Sequence, residues 1–231
     1  MTNLKDFYMG RKVIKMAELK DSGVRRQFET GAVRDSADGR GRCDLLPLDI
    51  VAELLNMYCI DNEDPNELHD VEGDVHEILK SINEFIRTGN TRDIYNAIGY
   101  FIEISGFKTI PMAMIEVSKH YEDGARKYAE RNWEKGIPCH CYVDSGIRHL
   151  LKWLDGWDDE PHNRAFLWNM LGLLWTVKHR PECNDLPYVE KLSKQNNDND
   201  LVLVEVNNGN KIYRNAKTGE FVDSERLDLL E

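Results

Sequence analysis

The sequence has no long apolar run. Its longest near-apolar segment, MLGLLWTV at 170–177, is eight residues, against the roughly 20 that a membrane-spanning helix needs. The opening residues, MTNLKDFYMGRK, lack the apolar core of a secretory leader, so a cytoplasmic location is expected. Positive charge is scarce. Thirty Lys and Arg against 41 Asp and Glu leave a net charge of −11. That balance excludes tracking of a nucleic-acid polymer, which needs clustered cations. A single small anion can still be held where a few cations converge. The five cysteines are few and odd in number. Without an export signal they read as reduced thiols, not as a disulfide framework.

What is present is enough apolar residue for a real core, 41% of 231 residues. One large domain with appendages is expected. Residues 1–27 are mixed and basic and read as an N-terminal arm. Residues 28–49, FETGAVRDSADGRGRCDLLPLD, carry three glycines and turn signals and read as a loop. Its Arg34, Arg40 and Arg42 are within sequence reach of an anion, although a solvated surface loop is the plainer reading. Leu48–Ile60 returns to helical periodicity after Pro47. A second helix runs from about Val75 to a Gly89 cap. A third is capped by Thr91 and closed by Gly106. Both read as scaffold. KLSKQNNDND, 191–200, is a polar linker. Beyond it LVLVEV, NNGN and KIYRN form a hairpin signature, with FVD as a third strand. The expected architecture is mainly α: a multi-helix bundle at 28–190 with a small C-terminal β-hairpin appendage at 201–231.

The chemistry concentrates in Glu116–Asn169, which holds four of the seven histidines and four of the five tryptophans. Three helices with facing polar stripes are expected there. On the first, at 111–130, Glu116, His120 and Asp123 recur at i, i+4 and i+7, and Lys127 continues the face. Carboxylates and an imidazole on one stripe suit a divalent cation; an ordinary solvated face is the competing reading. On the second, from about Cys141 to Trp157, Asp144 and Arg148 are i, i+4 partners and His149 adjoins them. Asp159 stands where it would cap the third. There His162, Phe166 and Asn169 share a core-facing stripe, so the two polar ones need partners, with Asp144, His149 or Glu116 available. Cys139-His140-Cys141 invites a zinc reading, but no matching second pair exists. His69-Asp70 lies in an acidic connector without a matching upstream histidine and is discounted as a ligand pair.

Four runs together carry a resemblance. They are FETGAVRDSADGRGRCDLLPLD, SKHYEDGARKYAERNWEKGIP, DSGIRHLLKWLDGWDDEPHNRAFLWN and VKHRPECNDLP. They resemble the dATP/dGTP diphosphohydrolase N-terminal domain family, common in phages and prophages, over roughly residues 28–187. The more specific positions are Gly124, Ala125, Lys127, Tyr128, Asn132 and Trp133, then Arg148 and His149, then Asp159, His162 and Asn169. Many members carry a second histidine three residues after the first, where this chain has Ala165. The related MazG-type enzymes pair a Glu-x-x-Glu helix with a Glu-x-x-Asp helix, a pairing not found cleanly in this chain.

The resemblance implies hydrolysis of dATP or dGTP to the monophosphate and pyrophosphate, with Mg²⁺ or Mn²⁺. On that reading Glu116, Asp123, Asp144 and Asp159 hold metal, and His120, His149 and His162 ligate or transfer protons. Lys127 and Arg148 meet phosphate, with Arg34, Arg40 or Arg42 as a lid. Tyr128 and Trp133 stack on a purine, and Asn132 and Asn169 complete the substrate contacts. Two further readings stand beside it: a non-catalytic protein that binds or sequesters a nucleotide or nucleotide-derived signal, and an interaction protein whose polar stripes only satisfy one another. The partner expected is a purine nucleotide, with no membrane and with homo-oligomers, as in the related helical enzymes.

Overall fold

One helix that is apolar on almost every side organises the described body. The structure, a computed structural model, describes residues 23–36, 38–58 and 71–189, and the backbone of strands at 201–207, 210–215 and 221–223. Six α-helices stand among the described residues: α1 (Leu48–Tyr58), α2 (Val71–Thr88), α3 (Thr91–Ile104), α4 (Ile110–Lys127), α5 (Cys139–Leu154) and α6 (His162–His179). Helix α6 buries Phe166, Leu167, Met170, Leu171, Leu173 and Leu174, so it has no solvated stripe and must be covered. It packs most extensively on α5, and also on α1, α3 and α4. The α5–α6 approach is close because Gly172 has no side chain: a Cβ there would lie 2.5 Å from Tyr142 Cε1. Phe101 of α3 meets Phe166 with ring centroids 4.3 Å apart, and each such fully buried ring stabilises the fold by about 1.5–3 kcal/mol.

Several boundaries differ from the sequence expectation for local reasons. Helix α2 begins at Val71, because Glu72 and Asp74 in its first turn complement the helix dipole. It ends at Thr88, before Gly89 at φ +75°, as the glycine predicted. The cap of α3 is Asn90, not Thr91: its side chain accepts from the Arg92 N–H at 3.2 Å. Helix α5 starts two residues before the expected Cys141, directly after Pro138. Asp159 does not cap α6. That helix follows Pro161 with no side-chain cap.

Residues 25–35 form a two-stranded antiparallel hairpin, β1 (Arg25–Gln27) and β2 (Val33–Asp35), with Arg26 opposite Arg34. The arm-and-loop reading missed it because both strands are three residues long and largely exposed, without the alternation that a half-buried strand leaves. After it, the chain is strapped to α4. Glu122, whose side chain is 8% exposed, accepts the Gly39 and Gly41 N–H groups at 3.0 and 2.9 Å. Gly41 has φ +92°, and a Cβ there would meet Ser118 Oγ at 2.0 Å, so only glycine fits.

At the C-terminal end β3 (Leu201–Asn207), β4 (Asn210–Asn215) and β5 (Phe221–Asp223) form an antiparallel sheet in the order β3-β4-β5. The β3–β4 register shifts between Leu203 and Glu205. The strand alternation and the Asn-Gly turn signal predict this meander. The expected linker at 191–200, His69-Asp70 and residues 1–22 lie outside the described residues. No described helix is long and apolar enough to cross a membrane.

Candidate functional site

Helices α4, α5 and α6 enclose a cavity of about 570 Å³, within the range of small-molecule sites. Thr109 starts α4 by accepting the Met112 N–H at 3.3 Å, which sets the helix so that His120, Asp123, Gly124 and Lys127 reach the cavity. The chain leaves α4 through Arg131, in the left-handed region at φ 53°. That turn folds Asn132 and Trp133 back onto the same cavity. Arg131 is held there by the Asp44 carbonyl at 2.7 Å and by Glu134 at 2.5 Å. Tyr121, Trp133 and Trp168 make an aromatic wall: Tyr121 lies 5.6 Å from Trp133 and 6.1 Å from Trp168 between ring centroids.

A cluster of three ionisable groups comes from α5, the α5–α6 turn and the start of α6. His149 Nδ1 and His162 Nδ1 are 3.0 Å apart. Glu160 Oε1 lies 3.5 Å from the first and 3.6 Å from the second. Among the described residues these three are the set whose donor atoms converge as metal ligands would. Nitrogen and oxygen donors about 2.0–2.2 Å from one ion in tetrahedral geometry are about 3.4 Å from each other, and the three observed edges bracket that spacing.

The protonation pattern supports the same conclusion. His162 is buried, and its Nε2 bonds Asp159 Oδ1 at 2.7 Å. A carboxylate only accepts, so Nε2 carries a proton, and in the neutral ring this leaves the Nδ1 lone pair toward His149 and Glu160. Burial is the main cause that keeps the pKa of His149 below its ordinary value, against the pull of Glu160. The shift favours the neutral imidazole, the form that ligates a metal. Asp159 is in turn fixed by Lys152 Nζ at 2.9 Å, the outer support that ligating histidines ordinarily have. The residues fit a divalent cation. His120, half-buried beside Trp168, is also kept below its ordinary pKa, first by burial and then by His149.

The four carboxylates expected to hold metal are not brought together. Glu116 is taken by Lys119 at 2.6 Å and by Arg164. Asp144 pairs with Arg148 on the exposed face of α5, as the i, i+4 spacing predicts. Asp123 lines the cavity but is exposed and faces Arg126 at 3.6 Å. Asp159 reaches the converging donors only through His162. Helical spacing placed Glu116, His120 and Asp123 on a stripe, yet Arg164 of α6 claims its N-terminal end.

The expected substrate contacts divide similarly. Lys127, Tyr128, Asn132, Trp133 and Asn169 line the cavity, whereas Arg34, Arg40, Arg42 and Arg148 do not. Arg42 is committed to Asp44 and Glu130 at 2.7 and 2.8 Å. Trp133 is buried edge-on against Trp175, at 4.7 Å between centroids, so it serves as wall more than as a free stacking platform. Asn169 gives its amide N–H to the Ala165 carbonyl at 2.8 Å. The Cys139-His140-Cys141 run holds no converging metal-ligand set among the described residues.

Sequence reading missed Glu160, Arg131 and Trp168. Glu160 sits two residues before His162 in a turn, where no helical period marks it. Arg131 reaches the cavity only through a left-handed backbone turn that no pattern announces.

No curated protein and no solved structure matches the chain. Residues 28–102 of the broader resemblance lie outside the family match that follows. Residues 103–186, which contain nearly all of the cavity lining and all three converging donors, match the family described as dATP/dGTP diphosphohydrolase, N-terminal.

Proposed function

We propose that this cavity binds a purine deoxynucleoside triphosphate, dATP or dGTP, and hydrolyses it to the monophosphate and pyrophosphate with a divalent cation. The observation that carries the reading is the convergence of His149 and Glu160, on the wall of the α4–α5–α6 cavity, with the buried His162 behind them. A divalent cation held by these donors supplies Lewis-acid polarisation of a phosphoryl oxygen. Two imidazoles with one carboxylate suit Mn²⁺ or a later transition metal better than Mg²⁺, which prefers oxygen ligands and water.

The chain's own groups then have separable roles. Asp159 orients His162 and keeps its proton on Nε2. His120, neutral and on the cavity wall, accepts a proton from the attacking water. Lys127 faces the triphosphate and offsets its charge, while Arg131, held by Glu134 and the Asp44 carbonyl, shapes the wall. Tyr121, Trp133 and Trp168 exclude water around the base. Arg148, spent on Asp144, has no direct part.

The absence of the paired acidic motifs supports the second reading, binding of a nucleotide or nucleotide-derived signal without turnover. Anion-exchange analysis of each dNTP and NTP incubated with Mn²⁺, Mg²⁺ or chelator separates the two. Metal-dependent dAMP or dGMP plus pyrophosphate, lost in His149→Ala, establishes the hydrolase. Intact nucleotides with retained, metal-dependent binding by calorimetry establish the binder.

A further inference from the structure

A second constellation lies apart from the cavity, at the start of α5. His140 Nδ1 bonds the Asp185 carboxylate, and His140 Nε2 lies 3.3 Å from Cys141 Sγ. Asp185 also accepts the His140 backbone N–H at 3.0 Å. The carboxylate can only accept, so it holds the ring proton on Nδ1 and leaves the Nε2 lone pair facing the thiol. That is the order nucleophile, base, orienting carboxylate that activates a thiol. Two further features act in the same direction. Cys141 is in the first turn of a 16-residue helix, whose N-terminal dipole favours the thiolate. The array is also accessible: the side chains of His140 and Asp185 are 62% and 43% exposed, and Cys141 is half-buried.

The surroundings narrow the chemistry. Acyl transfer needs free N–H donors for an oxyanion. Here the His140 N–H is bound to Asp185 and the Cys141 N–H to the Pro138 carbonyl at 3.0 Å. A thiol with a base but no oxyanion site suits direct displacement at sulfur. The neighbouring Cys139 is no competitor, since burial raises its thiol to about 12.

We propose that Cys141 is a reactive thiol, activated by His140 and Asp185, that forms a mixed disulfide with low-molecular-weight disulfides. In the reaction His140 Nε2 takes the Cys141 proton and Sγ attacks one sulfur of R–S–S–R. A new S–S bond forms to Cys141 as the old one breaks, and the departing R–S⁻ receives the proton from His140. The disulfide is the oxidant, and no other co-reactant enters. Cys141 starts the i, i+4, i+8 stripe that Ser145 and His149 continue into the cavity wall. The group added at Cys141 therefore sits about 12 Å along the helix from the metal-ligating position.

The test uses the intact chain at neutral pH with glutathione disulfide as the probe, and site-resolved mass spectrometry of all five cysteines. The exposed Cys43 is the internal reference. Cys141 is expected to react roughly ten-fold or more faster than Cys43. His140→Gln and Asp185→Asn are each expected to lower the Cys141 rate by roughly ten-fold while leaving Cys43 unchanged. Asp185→Asn keeps an acceptor for the His140 N–H. If it nonetheless lowers the thermal midpoint, the mostly exposed His140→Gln decides. A Cys141 rate equal to that of Cys43, or one that His140→Gln leaves unchanged, overturns the proposal.

Discussion

His149 of α5 and His162 of α6, thirteen residues apart, face each other with their Nδ1 atoms 3.0 Å apart. Two bare imidazole nitrogens do not approach so closely unless a proton or a cation lies between them. Glu160 at 3.5 and 3.6 Å from the pair completes a donor set that could hold a cation. His149→Ala and His162→Ala are each expected to abolish stoichiometric Mn²⁺ binding by calorimetry. Asp144→Asn, on the exposed face, is expected to leave it intact.

Asp159 acts one step away, through His162 Nε2. Asp159→Asn is expected to weaken metal affinity about 10–100-fold without unfolding the chain, the usual effect of losing an outer partner. If Asp159 were itself a ligand, its loss would resemble that of His162. Titration of the same variants with Mn²⁺ distinguishes the two.

Glu116 illustrates a carboxylate that works for stability. Hydrogen bonds from Lys119 and then Arg164 outweigh burial and hold its pKa below the ordinary 4.5. A depressed folded pKa means the contribution is present above about pH 4.5 and is lost as pH falls through the folded value. Glu116→Gln is therefore expected to lower stability near neutrality by about 1 kcal/mol and to flatten the acid limb of the melting-temperature curve. Metal binding at neutral pH should not change.

Helices α5 and α6 approach through Gly172. A Cβ would sit 2.5 Å from Tyr142 Cε1 and 3.0 Å from Cζ, and that ring is fully buried. Gly172→Ala is expected to destabilise the fold by about 1–3 kcal/mol in urea unfolding, since a ring in a packed core cannot yield cheaply.

Glu122 fixes the 39–42 segment to α4 by accepting two backbone amides and Arg126. Glu122→Ala leaves those amides without partners, at about 1–3 kcal/mol for each that stays buried. New proteolytic cleavage at 36–42 under native conditions is the expected signature, and an unchanged digest pattern would contradict it.

The helices are legible in the amino-acid sequence. The 3.6-residue spacing of apolar positions predicts them, because one face of each must leave water. Alternation with an Asn-Gly turn predicts the C-terminal strands, and the family resemblance points to the stretch that walls the cavity. His149 and His162 are nameable as candidates because a polar residue on an apolar stripe needs a partner. Which partner is a different matter. Glu116 and Glu160 have the same side chain, but Arg164 neutralises one while the α5–α6 turn aims the other at two imidazoles. Sequence determines what each residue can donate, accept or bury. Only the packing of α4, α5 and α6 decides which lone pairs meet, because convergence depends on distances across chain segments that no local period encodes.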